Sequence, residues 1–206
     1  TDKRIIHIDF QPAEIDQYYH PKLEVIGDIY NNLEQINNQL VDCSQFNFDL
    51  SLQREVRQTM LAELAEYSED ETRDSIRPQK AIWDSRKVMG EDDILLSDVG
   101  AHKMWIARHF HSHEPNTVLI PNGYCSMGFA LPGAIAASLI YPERRILAIA
   151  GDGGFLMNVQ EMETAKRLGS NIVVMVWEDG GYGLISWKQE AEFQRHTDLS
   201  FGNPDW

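Results

Sequence analysis

Residues 146–182, ILAIAGDGGFLMNVQEMETAKRLGSNIVVMVWEDGGY, constrain the fold more than any other stretch of the chain. Ile146 to Ala150 is a short apolar run rich in branched residues, the pattern of a buried strand. Gly151-Asp152-Gly153-Gly154 interrupts it as a turn. Phe155, Met162, Ala165 and Leu168 then recur at helical spacings, which predicts a helix over 158–168. Ile172 to Trp177 is a second apolar run, ended by Glu178-Asp179-Gly180-Gly181. Strand, crossover helix and strand form a βαβ unit whose strands are parallel. Both strand ends therefore lie on one edge of the sheet, and in open α/β sheets that edge takes the ligand. Asp152 and Asp179 stand just past those two ends.

Two carboxylates converging beside glycines, one of them at a helix start, suit a hard cation held together with a phosphate. Mg²⁺ takes oxygen ligands in near-octahedral geometry and shares them with substrate phosphates. Glycines let backbone approach the phosphate, and a helix start offers it free N–H groups. Taken singly, Asp152 reads more readily as an N-cap and Asp179 as a turn residue. The pair in its βαβ setting is what points to a metal–phosphate site.

Elsewhere the pattern is that of alternating strands and helices. Short strands are expected at 4–9 and 23–26, followed by a helix over 29–41 with Ile29, Leu33, Ile36 and Leu40 on one face. This piece is too small to bury a core of its own and reads as the tail of a preceding α/β domain. His7 and His20 stand alone and read as structural or surface residues. A polar linker over 42–49, a helix over 50–67 and an acidic loop from Ser68 lead to a helix over 77–88 and a strand over 94–98. The organisation is therefore 1–42 domain tail, 43–76 linker with a helix, and 77–206 a doubly wound parallel α/β domain with flanking helices. Gly100 and His102 follow the strand at 94–98, so His102 reads either as a phosphate hydrogen-bond donor or as a capping histidine. A strand over 118–121, a loop, and a helix of small residues opening at Met127 come next; by type alone Met127 is a core residue. A last helix is expected over 184–194. A doubly wound domain of this kind needs one or two further strands, so the chain is expected to be a truncated part of a longer protein.

Four ordered segments carry a family resemblance: SDVGAHKMWIARHF (97–110), PNGYCSMGFALPGAI (121–135), YPERRILAIAGDGGFLMNVQEMETAKRL (141–168) and the Glu178-Asp179 pair. Together they resemble the C-terminal portion of thiamine-diphosphate-dependent acetolactate synthases of the catabolic, flavin-independent type, in which an aspartate stands where most thiamine enzymes have the second of two asparagines. The resemblance implies a thiamine-diphosphate-binding fold, with thiamine diphosphate and Mg²⁺ as cofactors, and the condensation of two pyruvates to 2-acetolactate with loss of CO₂. It implies that Asp152, Asp179 and the carbonyl of Gly181 hold the metal, with Gly100, His102, Gly153, Gly154, Tyr182 and Gly183 at the cofactor. Met127 takes the place of the apolar residue that bends the cofactor between its two rings, and Cys125 the place whose backbone carbonyl accepts from the aminopyrimidine. Ala101 and Lys103 replace two glutamines of the family segment. The proton-transfer glutamate belongs to the pyrimidine domain of a partner subunit, so a homodimer or homotetramer is implied and these residues alone are expected to be inactive. Another thiamine-dependent 2-keto acid decarboxylase or carboligase is the sibling reading. A non-catalytic Rossmann-like phosphate-binding module fits poorly, because Leu156 stands where the third glycine of its fingerprint belongs.

The remaining composition sets bounds. A net charge of −14 argues against a nucleic-acid surface. Cys43 and Cys125 lack metal or redox spacing, the usage of a reducing cytoplasm. No apolar run reaches the roughly 18 residues of a membrane span, and TDKRIIHIDF lacks the apolar core of a signal peptide.

Overall fold

The computed structural model describes residues 3–40, 47–71 and 75–205. Cys43 and most of the 42–49 linker lie outside the described residues. The chain divides into two units, Thr1–Leu52 and Gln53–Trp206.

In the first unit, β1 (Ile6–Asp9) and β2 (Leu23–Ile26) pair in parallel, with Ile6 opposite Leu23 and Asp9 opposite Ile26. The connection between them is long enough for the crossover a parallel pair requires. Asp28 caps α1 (Ile29–Gln39) by accepting from the Asn31 N–H at 2.7 Å. The predicted apolar stripe of α1 stays uncovered, from Ile29 at 39% to Leu33 at 49% exposure. Among its described residues, this unit contributes nothing to the buried hydrophobic core.

The second unit, from Gln53 on, takes in all but the first two residues of α2 (Ser51–Glu66) and runs through α3 (Pro78–Val88), β3 (Ile94–Ser97), α4 (Ala101–His109), β4 (Val118–Leu119), α5 (Ala130–Ile140), β5 (Ile146–Gly151), α6 (Asp152–Met157), α7 (Glu161–Leu168), β6 (Ile172–Trp177) and α8 (Gly183–Phe193). Its sheet has the order β4-β3-β5-β6, and every pairing is parallel. Side chains alternate across a strand, so β3 and β5 supply two cores. Ile94, Leu96, Ile146 and Ala148 meet Ala130, Ala134 and Ala165 on one face. Leu95, Leu147 and Ile149 meet Leu64, Ile82 and Ile106 on the other. Burial on both faces is why these strands read as continuous apolar runs rather than alternating ones, and it makes the sheet doubly wound as predicted.

The element boundaries differ from expectation where tertiary contacts intervene. Gly151 is the last residue of β5 and Asp152 the first of α6, so the glycine stretch is not a separate turn. The helix expected over 158–168 starts only at Glu161 as α7, and a further helix, α6, precedes it over 152–157; Asn158, between the two, donates from Nδ2 to the Gly128 carbonyl at 2.7 Å. Of the predicted helical face, Phe155 and Ala165 are buried whereas Met162 and Leu168 remain 44% exposed. Helix α5 opens at Ala130 rather than Met127, because Gly128 sits at φ +81 and ends any helix there. Strand β4 stops at Leu119, at the sheet edge, short of the expected Pro121.

Candidate functional site

Strands β3, β5 and β6 end on one edge, and each end leads into a loop or helix start that faces the same cavity of about 840 Å³. Asp98 to Gly100 follow β3, Asp152 to Gly154 follow β5, and Glu178 to Gly183 follow β6. Every predicted site residue lines this one cavity: Gly100, His102, Cys125, Met127, Asp152, Gly153, Gly154, Asp179, Gly181, Tyr182 and Gly183.

Asp152 is 1% exposed and is not an N-cap: it is the first residue of α6, whose cap is Gly151. One oxygen, Oδ1, accepts from the Gly153 N–H at 2.8 Å. The other, Oδ2, reaches the next loop and accepts from the N–H groups of Gly180 at 2.8 Å and Asp179 at 3.3 Å. The two strand-end loops are thus tied through one carboxylate. Burial, and secondly the charge of Asp152, raise the Asp179 carboxyl above the ordinary aspartate value, while the Gly181 N–H opposes the shift. Among the described residues, no lysine or arginine pairs with either aspartate. Two carboxyl groups without a protein counter-ion, on one cavity, offer oxygen donors to a cation. Among the described residues no cluster of three or more metal-binding side chains exists. The donor set therefore fits a hard ion that completes its shell with backbone, phosphate and water oxygens, as Mg²⁺ does.

His102 is 4% exposed, and burial holds it below the ordinary histidine value although Asp98 pulls the other way. Its Nε2 is buried with no protein partner. That orphaned atom suits a ligand contact better than a capping role, since a buried polar atom left unpaired is costly. Lys103, which replaces a glutamine of the family segment, places Nζ 3.4 Å from Cys125 Sγ and 3.5 Å from Asn122 Oδ1. Cys125 itself sits at φ +52, a left-handed conformation uncommon for a residue with a side chain, which turns its backbone within the loop.

The glycines of the cavity also leave room for neighbouring protein groups. A Cβ on Gly153 would lie 2.9 Å from the Tyr182 ring and 3.2 Å from the Phe201 ring; one on Gly154 would lie 2.8 Å from Asp98 Oδ1. They permit protein parts to close around the cavity. Sequence reasoning also missed the return segment. The Phe201 N–H donates to the Gly180 carbonyl at 2.9 Å, and the Tyr182 N–H donates to the Leu199 carbonyl at 3.2 Å. Asn203 Nδ2 donates to Asp152 Oδ2 at 2.8 Å and to Glu178 Oε1 at 3.0 Å. Apolar walls come from Trp105, Met175 and Trp177, whose strand and helix positions read as ordinary core.

Comparison with known proteins bears on this geometry. Residues 98–206 match the thiamine pyrophosphate enzyme family over its C-terminal TPP-binding domain. The chain is 35% identical over 204 residues to the acetolactate synthase of Bacillus subtilis, covering 99% of this chain and 36% of that protein. It is 34% identical over 209 residues to the catabolic acetolactate synthase of Raoultella terrigena, covering 98% of this chain and 36% of that protein. The chain thus spans about a third of the length of these curated relatives.

Proposed function

Because this chain belongs to the thiamine pyrophosphate enzyme family and carries its C-terminal TPP-binding domain, we propose that it is the diphosphate- and metal-binding part of an acetolactate synthase. The reaction is the condensation of two pyruvates to 2-acetolactate with loss of CO₂. The observation that carries this reading is the pair Asp152 and Asp179, unpaired by any basic residue described, at the ends of adjacent parallel strands in one cavity.

In this reading Asp152, Asp179 and the Gly181 carbonyl hold Mg²⁺, and Gly100, His102, Gly153, Gly154, Tyr182 and Gly183 surround the diphosphate. Bound thiamine diphosphate supplies the carbanion chemistry that cleaves and joins 2-keto acids. Met127 lies at the cavity wall as the apolar support between the two cofactor rings, and the Cys125 carbonyl receives the exocyclic amine. The left-handed backbone of Cys125 supports a main-chain role there. His102 acts through the orphaned Nε2. Residues 1–42 are assigned to the end of a central domain, 43–76 to a linker and 77–206 to the cofactor domain. A homodimer or homotetramer, with the pyrimidine domain of a partner subunit closing the site, completes the enzyme in the cytoplasm. The described residues contain no helix long and apolar enough to cross a membrane. The catabolic type is supported by Asp179 and by the similarity to the Raoultella protein.

The experiment is calorimetric titration of thiamine diphosphate into the full-length protein, with Mg²⁺ and with chelator, followed by an assay of acetolactate from pyruvate. Cofactor binding that needs the cation, together with acetolactate formation, is the expected result. Cation-independent binding overturns the metal assignment. Strong binding with decarboxylation but no acetolactate replaces the synthase by another 2-keto acid decarboxylase.

A further inference from the structure

Asp98 directly follows β3 and is 1% exposed, yet among the described residues no lysine or arginine pairs with it. A buried carboxylate of this kind is stable only if backbone donors satisfy it. Three do. Oδ1 accepts from the Val99 N–H at 2.7 Å and the Gly128 N–H at 2.9 Å, and Oδ2 accepts from the Ala130 N–H at 2.9 Å. Asp98 itself is locked to the sheet, its N–H donating to the Ile149 carbonyl at 2.7 Å. The partners Gly128 and Ala130 are the residues that follow Met127 and lead into α5. The same turn is gripped from the other side, where Asn158 Nδ2 donates to the Gly128 carbonyl at 2.7 Å. Gly128 stands at φ +81, and a Cβ there would lie 2.6 Å from Asn158 Nδ2, so the turn has little room to move.

We propose that Asp98 is a positioning residue for the reaction: its carboxylate fixes the 127–130 turn to the end of β3, and so sets how firmly Met127 bends the bound cofactor. The proposal rests on Met127 being the support between the cofactor rings, as proposed above. Only a carboxylate suits the post, since both of its oxygens accept and an asparagine offers one acceptor and one donor. The side-chain amide of the Asp98→Asn variant would turn its NH₂ toward one of the two turn N–H groups and lose that bond. The loops after β5 and β6 are tied to each other through Asp152, with no hydrogen bond, among the described residues, to the Asp98 carboxylate. Loosening the 127–130 turn therefore affects the bend of the cofactor more than its retention.

The test compares full-length wild type with Asp98→Asn and Asp98→Ser; either variant decides if the other fails to fold. Backbone hydrogen exchange is measured in the cofactor-free protein. Exchange at Gly128 and Ala130 should accelerate about tenfold or more in the variants, as expected for losing a hydrogen bond to a charged group, while β3 and β5 keep their protection. The dissociation constant of thiamine diphosphate with Mg²⁺ should stay within about threefold. The rate at which the bound cofactor exchanges its C2 proton with solvent, read by NMR after acid quench, should fall about tenfold or more, as misplaced reacting groups do. Unchanged protection of the turn overturns the proposal. So does a loss of affinity as large as the loss of C2 exchange, which would make Asp98 a purely structural residue. C2 exchange does not depend on which 2-keto acid is the substrate, so a protein that exchanges C2 but makes no acetolactate refutes the synthase reading and leaves this one standing.

Discussion

Replacing Asp152 by alanine removes the tie between the two strand-end loops and, with it, the first of the proposed metal ligands. Its carboxylate is 1% exposed, so its partners gain little from water when it is removed. Two short cross-loop bonds disappear, from the Gly180 N–H and from Asn203 Nδ2, both at 2.8 Å. The 3.3 Å contact from the Asp179 N–H is long and counts for less. Stranding a buried donor costs about 1–3 kcal/mol. Loss of the repulsion that raises the Asp179 carboxyl offsets part of this. In the metal-free protein a net loss of about 2–4 kcal/mol is expected from urea unfolding followed by circular dichroism. Asp152→Asn keeps one acceptor and should lose about half as much. Adding cofactor and Mg²⁺ at about a hundred times the wild-type dissociation constant should stabilise wild type by a further ~2.7 kcal/mol and Asp152→Ala hardly at all. A stability for Asp152→Ala within about 0.5 kcal/mol of wild type in chelator would refute the cross-loop role. An equal gain of both proteins on adding ligand would refute the metal role.

Met127→Ala in the full-length protein should lower turnover about tenfold or more with little change in cofactor affinity; unchanged turnover with weakened cation dependence would contradict its assignment. For Asp179 the pH dependence has a definite sign. Its carboxyl titrates above the ordinary aspartate value in the folded, cation-free protein, so folded protein holds a proton there that the unfolded chain has lost. Stability in chelator should therefore fall as pH rises through that window. Asp179→Asn should remove this slope while still binding cofactor with Mg²⁺; urea midpoints of the variant that track wild type across the window would show the raised carboxyl has no energetic consequence.

Much of the site was legible because its elements are local. Ile146–Gly151 and Ile172–Trp177 are apolar runs long enough for strands, the first buried on both faces of the sheet and the second half-buried at its edge. Once the two are parallel neighbours, chain geometry alone sends Asp152 and Asp179 to the same edge. The residues carried over from the family segments, from Gly100 to Gly183, gather in one cavity for the same reason: each follows a strand end or opens a helix on that edge.

What escaped the sequence depends on backbone groups that side-chain patterns do not display. Asp98 looks like any aspartate at a strand end, since its partners are the main-chain N–H groups of residues 30 and 32 positions further on. Asn203 meets Asp152 across 51 positions and leaves no local periodicity. Asn158 was read as the first residue of a helix, and its bond to the Gly128 carbonyl, 30 positions away, leaves no signal in the local pattern. The sequence by itself determined the parallel α/β domain and the convergence of its acidic strand ends, because strand and helix periods are properties of neighbouring residues. The fastening of those ends, and of the turn beside Met127, was decided by tertiary structure alone. A backbone N–H is the same at nearly every position, and only the folded path of the chain determines which carboxylate it meets.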